Sequence, residues 1–312
     1  MTRFLVRRVV AAVPLLLVVS AATFLLVALV PGDAARSIAG RNATPEQVAQ
    51  VRTELGLDRP VWTQYIDWLG SAINGDLGTS LINQQAVTEQ LNARLGATMS
   101  LIIGATVVAA VVGVTLGVLG ARGGWLGRTV DAASLIGFAV PTFWLALVLV
   151  VLLAVKVAAF PALGYTPLGQ SPSQWMASLF LPVVTLAVPA TASVAKVTRD
   201  AVSDAMQRPF VRTLRAAGVP ERAIIARHAL KNAAVPILTI VGLTFIGALT
   251  GAVLIEQIFA LPGLGGTAVT ATAAGDLPLI QGVVIYFTVI VIAVNLLVDL
   301  AYAFFNPRVR VS

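Results

Sequence analysis

The stretch from Gln207 to Lys231, QRPFVRTLRAAGVPERAIIARHALK, is a basic segment set between long apolar runs, and the rest of the chain is best read outward from it. Pro209 suits the first position of a helix, where a missing N–H costs nothing. Gly218 suits the left-handed residue just past a helix end, and Pro220 prevents continuation. The pattern predicts a short helix from Pro209 to Ala217. Phe210, Val211, Leu214 and Ala217 fall on one side of it, and Arg208, Arg212 and Arg215 on another. Pro220 and Glu221 then open a second helix through Ile224, Ile225, His228 and Leu230, expected to close before Pro236 begins the next apolar run. His228, the single histidine, is read as solvated or capping. Two readings of the segment are open. A basic amphipathic helix can lie on anionic headgroups, or its apolar knobs can seat in a groove of a cytosolic partner. The sharp glycine stop favours the groove, because a helix lying on lipid has no need of a fixed corner.

The flanking runs belong in a bilayer. Of 312 residues, 58% are hydrophobic and 11% charged, with a mean hydropathy of +0.90, far more apolar than a soluble protein. A spanning helix needs about 20 apolar residues to cross roughly 30 Å of hydrocarbon. Six runs meet that length, near residues 9–30, 98–120, 132–155, 179–199, 234–260 and 278–304. The run after Arg3, Arg7 and Arg8 is too long for the core of a secretory signal and is read as a retained first span. With six spans, fifteen Lys and Arg fall on the side of the termini and six on the other, so both termini are expected in the cytoplasm. The formal charge of +7 follows from that topology, and no nucleic-acid partner is called for. With no Cys and one His, thiolate chemistry and histidine-rich metal sites have no residues to work with.

Residues 31–97 form an outer segment too long for a turn, with helix signals of its own. Thr44 can cap a helix that has Pro45 at its first position, the stripe Val48, Val51 and Leu55, and Gly56 at its close. Pro60 starts a second helix whose Val61, Tyr65, Trp68, Leu69 and Ala72 share one face. This segment is read as an outer cap on the spans, a landing surface for an external binding protein, or both. No linker or repeat divides the chain, which is treated as one membrane domain, 1–312, with a cytoplasmic loop at 200–233.

FVRTLRAAGVPERAIIARHALKNAAVP, residues 210–236, resembles the cytoplasmic loop of binding-protein-dependent ABC import permeases, in the version carried by dipeptide, oligopeptide and nickel permeases. Three more stretches agree in order: LGLDRPVWTQYIDWLGSAINGDLGTS from Leu55, EQIFALPGLG from Glu256, and DLPLIQGVVIYFTVIVIAVNLLVDLAYAFFNPRVR from Asp276. The chain departs from the wider family where Arg212, Thr213 and Leu214 replace a Glu-Ala-Ala run, while Gly218 is kept.

The resemblance implies an all-α, polytopic membrane protein with six transmembrane helices, the transmembrane domain of a type I ABC importer in a bacterial plasma (inner) membrane. It implies a second homologous permease subunit, cytosolic ATP-binding subunits that hold the ATP and Mg, and an extracytoplasmic peptide-binding protein. No cofactor is expected on this chain itself. Phe210, Leu214 and Ala217 would supply packing against the ATP-hydrolysing subunit, Arg212 and Arg215 orientation, and Gly218 the corner, with Glu221 opening the helix beyond it. Peptides come first as substrate and a nickel chelate second.

Other candidates are few. Pro141, Pro182, Pro189 and Pro236 sit in or beside spans, where a missing N–H can kink a helix lining a pathway. Glu256, Asn295 and Asp299 lie toward span ends and are read first as structural hydrogen-bonding groups. So few intramembrane carboxylates argue against an ion-driven carrier. No HExxH, GxSxG or GxxxxGK[ST] pattern occurs, so the sequence offers no enzyme signature and no ATP-hydrolysing loop.

Overall fold

The computed structural model describes residues 2–29, 34–40 and 42–305, and the tail arginines Arg308 and Arg310 lie outside them. The described residues are helical apart from loops and one isolated bridge, Thr79 to Ala86. In order the helices are α1 (Thr2–Leu29), α2 (Ala34–Ala39), α3 (Pro45–Glu54), α4 (Val61–Ile73), α5 (Val87–Gly120), α6 (Gly124–Ala139) and α7 (Thr142–Leu149). They continue with α8 (Pro172–Met206), α9 (Pro209–Ala216), α10 (Glu221–Ala223), α11 (Leu230–Ile258), α12 (Leu264–Ala274) and α13 (Leu277–Phe305). Wider π-helical turns extend α7 over Val150–Lys156 and join α10 to α11 over Ile224–Ala229. Among the described residues, five helices are long and apolar enough to cross a membrane, and α6 with α7 makes a sixth span if the bent pair is counted as one.

Three expectations need correction. The apolar run at 132–155 is not one straight helix: it breaks at Val140 and Pro141 and turns by 95°. Pro141 has no N–H to continue the ladder and disfavours helical geometry in the residue before it, so Val140 is extended at ψ 118°. Pro236 does not begin a span. It lies inside α11, and the helix runs on from Glu221 to Ile258. The fourth span does not end near residue 199, because α8 stays helical to Met206 and carries Lys196 and Arg199 on the helix.

The chain divides into two compact units, Met1–Thr98 with Pro262–Ile292, and Met99–Leu261 with Ala293–Ser312. In the first, the core gathers Leu77, Val87, Leu91, Leu264, Leu279, Ile280 and Val283. Thr44 caps α3 in a full capping box with Gln47, and Gly56, at φ 66°, follows its end, as the sequence signals require. Tyr65 of α4 meets Ser20 of α1 at 2.9 Å and packs edge-on against Phe24, while Trp68 donates to the Leu77 carbonyl at 3.3 Å. Buried Asp276 accepts hydrogen bonds from the Ser80 hydroxyl and the Leu81 N–H, tying the loop before α5 to the start of α13.

In the second unit α8 is the central post, and glycines let its neighbours close on it. A Cβ on Gly113 of α5 would stand 2.7 Å from Val194 Cβ, and one on Gly117 would stand 2.5 Å from Thr198 Cβ and 2.7 Å from the Ala195 carbonyl oxygen. Gly137 of α6 meets Ala192 in the same way, at 2.8 Å. Between apolar helices in lipid, such close approach supplies the packing that a hydrophobic driving force cannot. Gly117→Val is therefore expected to lower the melting temperature of the purified protein in detergent, with an overpacking cost of about 1–3 kcal/mol. Gly96→Ala, whose Cβ would meet nothing within 4 Å, serves as the control and should melt like the wild type.

Candidate functional site: the basic corner

The corner at residues 207–229 is built by local rules. Arg208 is extended at the helix entrance, Pro209 occupies the first turn, and α9 runs to Ala216. Gly218, at φ 78°, then reverses the chain. The Gly218 N–H donates to the Arg215 carbonyl at 3.0 Å and the Val219 N–H to the Leu214 carbonyl at 3.0 Å. Those two bonds are a complete Schellman closure, which satisfies helix-end carbonyls and sets the exit direction of the chain. Arg215 adds a second clasp, donating to Glu221 through Nε at 3.1 Å and Nη2 at 2.5 Å. These hydrogen bonds to the carboxylate hold the guanidinium pKa above its ordinary value. The corner is thus locked on both sides of Gly218.

The faces of α9 divide in a way that periodicity alone does not resolve. Val211 is fully enclosed, as is Ile224 beyond the corner. Phe210 and Leu214 are half-buried, while Arg212, Ala217 and Gly218 are exposed. Val211 is the inward anchor, and Phe210, Leu214 and Ala217 keep surface that another molecule can cover. Arg215, expected to orient a partner, is engaged with Glu221 within the chain. His228 is half-buried, and its backbone carbonyl accepts from Asn232 at 2.9 Å.

The structure also brings together charged residues from two helices. Asp131 of α6 accepts from Arg199 and, at 3.3 Å, from Lys196 of α8, and Lys196 pairs with Asp200 at 3.1 Å. Arg199 lies over glycine, since a Cβ on Gly127 would stand 3.3 Å from its Nη2. This cluster braces α6 to the part of α8 that leads into the corner. A carboxylate just before one apolar run and basic residues late in another were the signal available in the sequence.

The remaining candidates are scattered. Pro141 stands at the entrance of α7 at the 95° break, and Pro189 lies inside α8. Glu256 is enclosed by protein at 1% exposure. Asn295 is exposed and Asp299 half-buried on α13.

The chain is similar to known proteins along almost its whole length. Residues 113–311, which include the whole corner, match the family described as the binding-protein-dependent transport system inner membrane component, and residues 1–102 match the N-terminal part of such membrane components. The chain belongs to this family of ABC permeases. It is therefore a multi-pass inner-membrane component. The permease is 41% identical, over 99% of both chains, to a putative peptide transport system permease protein of Brucella abortus. It is 38% identical to a probable peptide ABC transporter permease of Sinorhizobium fredii, over 98% of this chain and 99% of that one. A glutathione transport system permease of Pectobacterium atrosepticum is 35% identical over 99% of both.

Proposed function

We propose that this permease carries short peptides inward across the membrane, driven by ATP that is hydrolysed on separate cytosolic subunits. The observation that carries the reading is the corner at Gly218: a short helix with half-buried Phe210 and Leu214, exposed Ala217, and a doubly locked exit. A partner that seats on α9 and moves has two levers to pull. On one side α8 ends at Met206, two residues before α9, and on the other the helix from Glu221 to Ile258 continues for 38 residues, about 57 Å of contour. A rigid corner between two long helices passes displacement into the spans instead of absorbing it.

In this reading both termini lie in the cytoplasm, a second homologous permease subunit closes the pathway, and ATP with Mg2+ binds the partner subunits. An extracytoplasmic binding protein delivers the peptide. The peptide transport names of the relatives favour peptide over nickel as cargo. The experiment is uptake into proteoliposomes holding the permease, its partner permease and the ATPase subunits, with the external binding protein added. Accumulation of a labelled dipeptide should require ATP on the side of the ATPase subunits. Uptake that follows an ion gradient and ignores ATP would replace this reading with a secondary carrier.

A further inference from the structure

Within the second unit, α8 and α11 meet the break between α6 and α7 around a cavity of about 360 Å3, inside the range of small-ligand sites. Thr142, Pro189, Ser193, Thr244, Gly247 and Gly251 are among its lining residues. Four observations distinguish it from ordinary helix packing.

Its place comes first. Thr142 opens α7 at the 95° break, and Pro189 stands midway along α8. Interrupted helices at mid-depth are tolerated where backbone lines a cavity rather than lipid.

Its glycine differs from the packing glycines. At Gly113 and Gly117 an added Cβ collides with α8, whereas at Gly247 it would meet nothing within 4 Å. The small residue at 247 leaves open space. Gly251, one turn away, forms the floor, since its Cβ would meet Leu186 Cδ2 at 2.9 Å.

The polar chemistry leans toward acceptance. The Ser193 hydroxyl donates to the Pro189 carbonyl at 3.1 Å, and the Thr244 hydroxyl to the Val241 carbonyl at 2.8 Å. Both donors are thereby used, and the oxygens retain acceptor capacity. Beside the Thr142 hydroxyl the wall offers these acceptors, and none of its lining residues is ionisable.

Its walls are also the helices flanking the basic corner, because α9 is strung between α8 and the helix that becomes α11.

We propose that this cavity is the contribution of this chain to the peptide pathway, taking the main-chain N–H groups of a short peptide on an acceptor wall that does not read side-chain charge. The inference rests on the peptide reading above and assigns the residues that carry it out.

The test uses the complete transporter in proteoliposomes with ATP, and labelled Ala-Ala, Ala-Glu and Ala-Lys as cargo. In the wild type the external protein sets the ratio of Ala-Glu to Ala-Lys uptake. Ser193→Asp is expected to lower that ratio by about tenfold and Ser193→Lys to raise it by about as much, because a lone charge in a low-dielectric cavity acts strongly on a passing one. Gly247→Leu, whose Cβ would meet nothing within 4 Å, should reduce uptake of all three by about tenfold, with assembly followed by co-purification of the ATPase subunits. If the Ser193 variants do not assemble, Gly247→Leu decides alone. Wild-type ratios in both Ser193 variants, or full uptake by Gly247→Leu, overturn the assignment while leaving the peptide reading intact. Wild-type transporter that takes up none of the three dipeptides on ATP overturns the peptide reading, and this inference with it.

Discussion

Val211→Asp will collapse the basic corner. Val211 is fully enclosed, and so is Ile224 on the far side of Gly218. A carboxylate enclosed there is taken out of water, and an unpaired buried charge costs several kcal/mol, beyond the roughly 1.5–3 kcal/mol lost with the burial of the valine side chain. The expected result is loss of the monodisperse peak when a fluorescent fusion is chromatographed in detergent, together with rapid proteolysis between α8 and α11. Val211→Ala loses only the smaller packing contribution and should keep the peak at a lowered melting temperature. A Val211→Asp protein that melts like the wild type would show that α9 is not anchored through this side chain.

The second large effect lies on the part of the same helix that stays open. Leu214→Asp combined with Ala217→Asp should leave the fold intact and strip the ATPase subunits from the purified complex. Leu214 is half-buried and Ala217 exposed, so both new carboxylates can stay in water while the permease is alone. They become costly only when a partner groove closes over them. Residues at the centre of such an interface contribute about 2 kcal/mol or more each, so co-purified ATPase should fall by more than about tenfold. ATP-driven uptake should fall with it. Retention of the subunits at wild-type level would remove α9 as their seat, and the pair of experiments separates the helix's anchor from its docking face.

Much of this protein was legible along the chain because its signals are local. Apolar length marks the spans, since a backbone in lipid must satisfy its hydrogen bonds within each helix. Pro209, Gly218 and Pro220 mark α9 and its exit because they act through their own φ angles and missing donors. The Thr44 cap and the Gly56 stop are legible for the same reason. The continuation of the helix through Pro236 was not legible. A proline removes one hydrogen bond, and whether the helix survives depends on the neighbours that hold it.

The unread part of the site is the part that depends on which surfaces and charges the fold brings together. Periodicity put Phe210, Val211, Leu214 and Ala217 on one side, but it could not tell the enclosed valine from the alanine left in water. Arg215 looked like a free cation until Glu221 was brought across the corner. Nothing along the chain marks Lys196 and Arg199 as partners of Asp131 of α6. The Gly113 and Gly117 spacing was visible, yet only the approach of α8 shows that these glycines close a contact while Gly247 opens a cavity.

By itself the sequence determined an all-helical membrane chain, the position of its spans and the shape of its basic corner, because hydrophobic length and backbone punctuation act within a few residues. Only the tertiary structure decided which face of α9 is anchored, which charges are paired and where the spans leave room, because burial and pairing are properties of surfaces that meet, as α6 and α8 do through residues 65 and 68 positions apart.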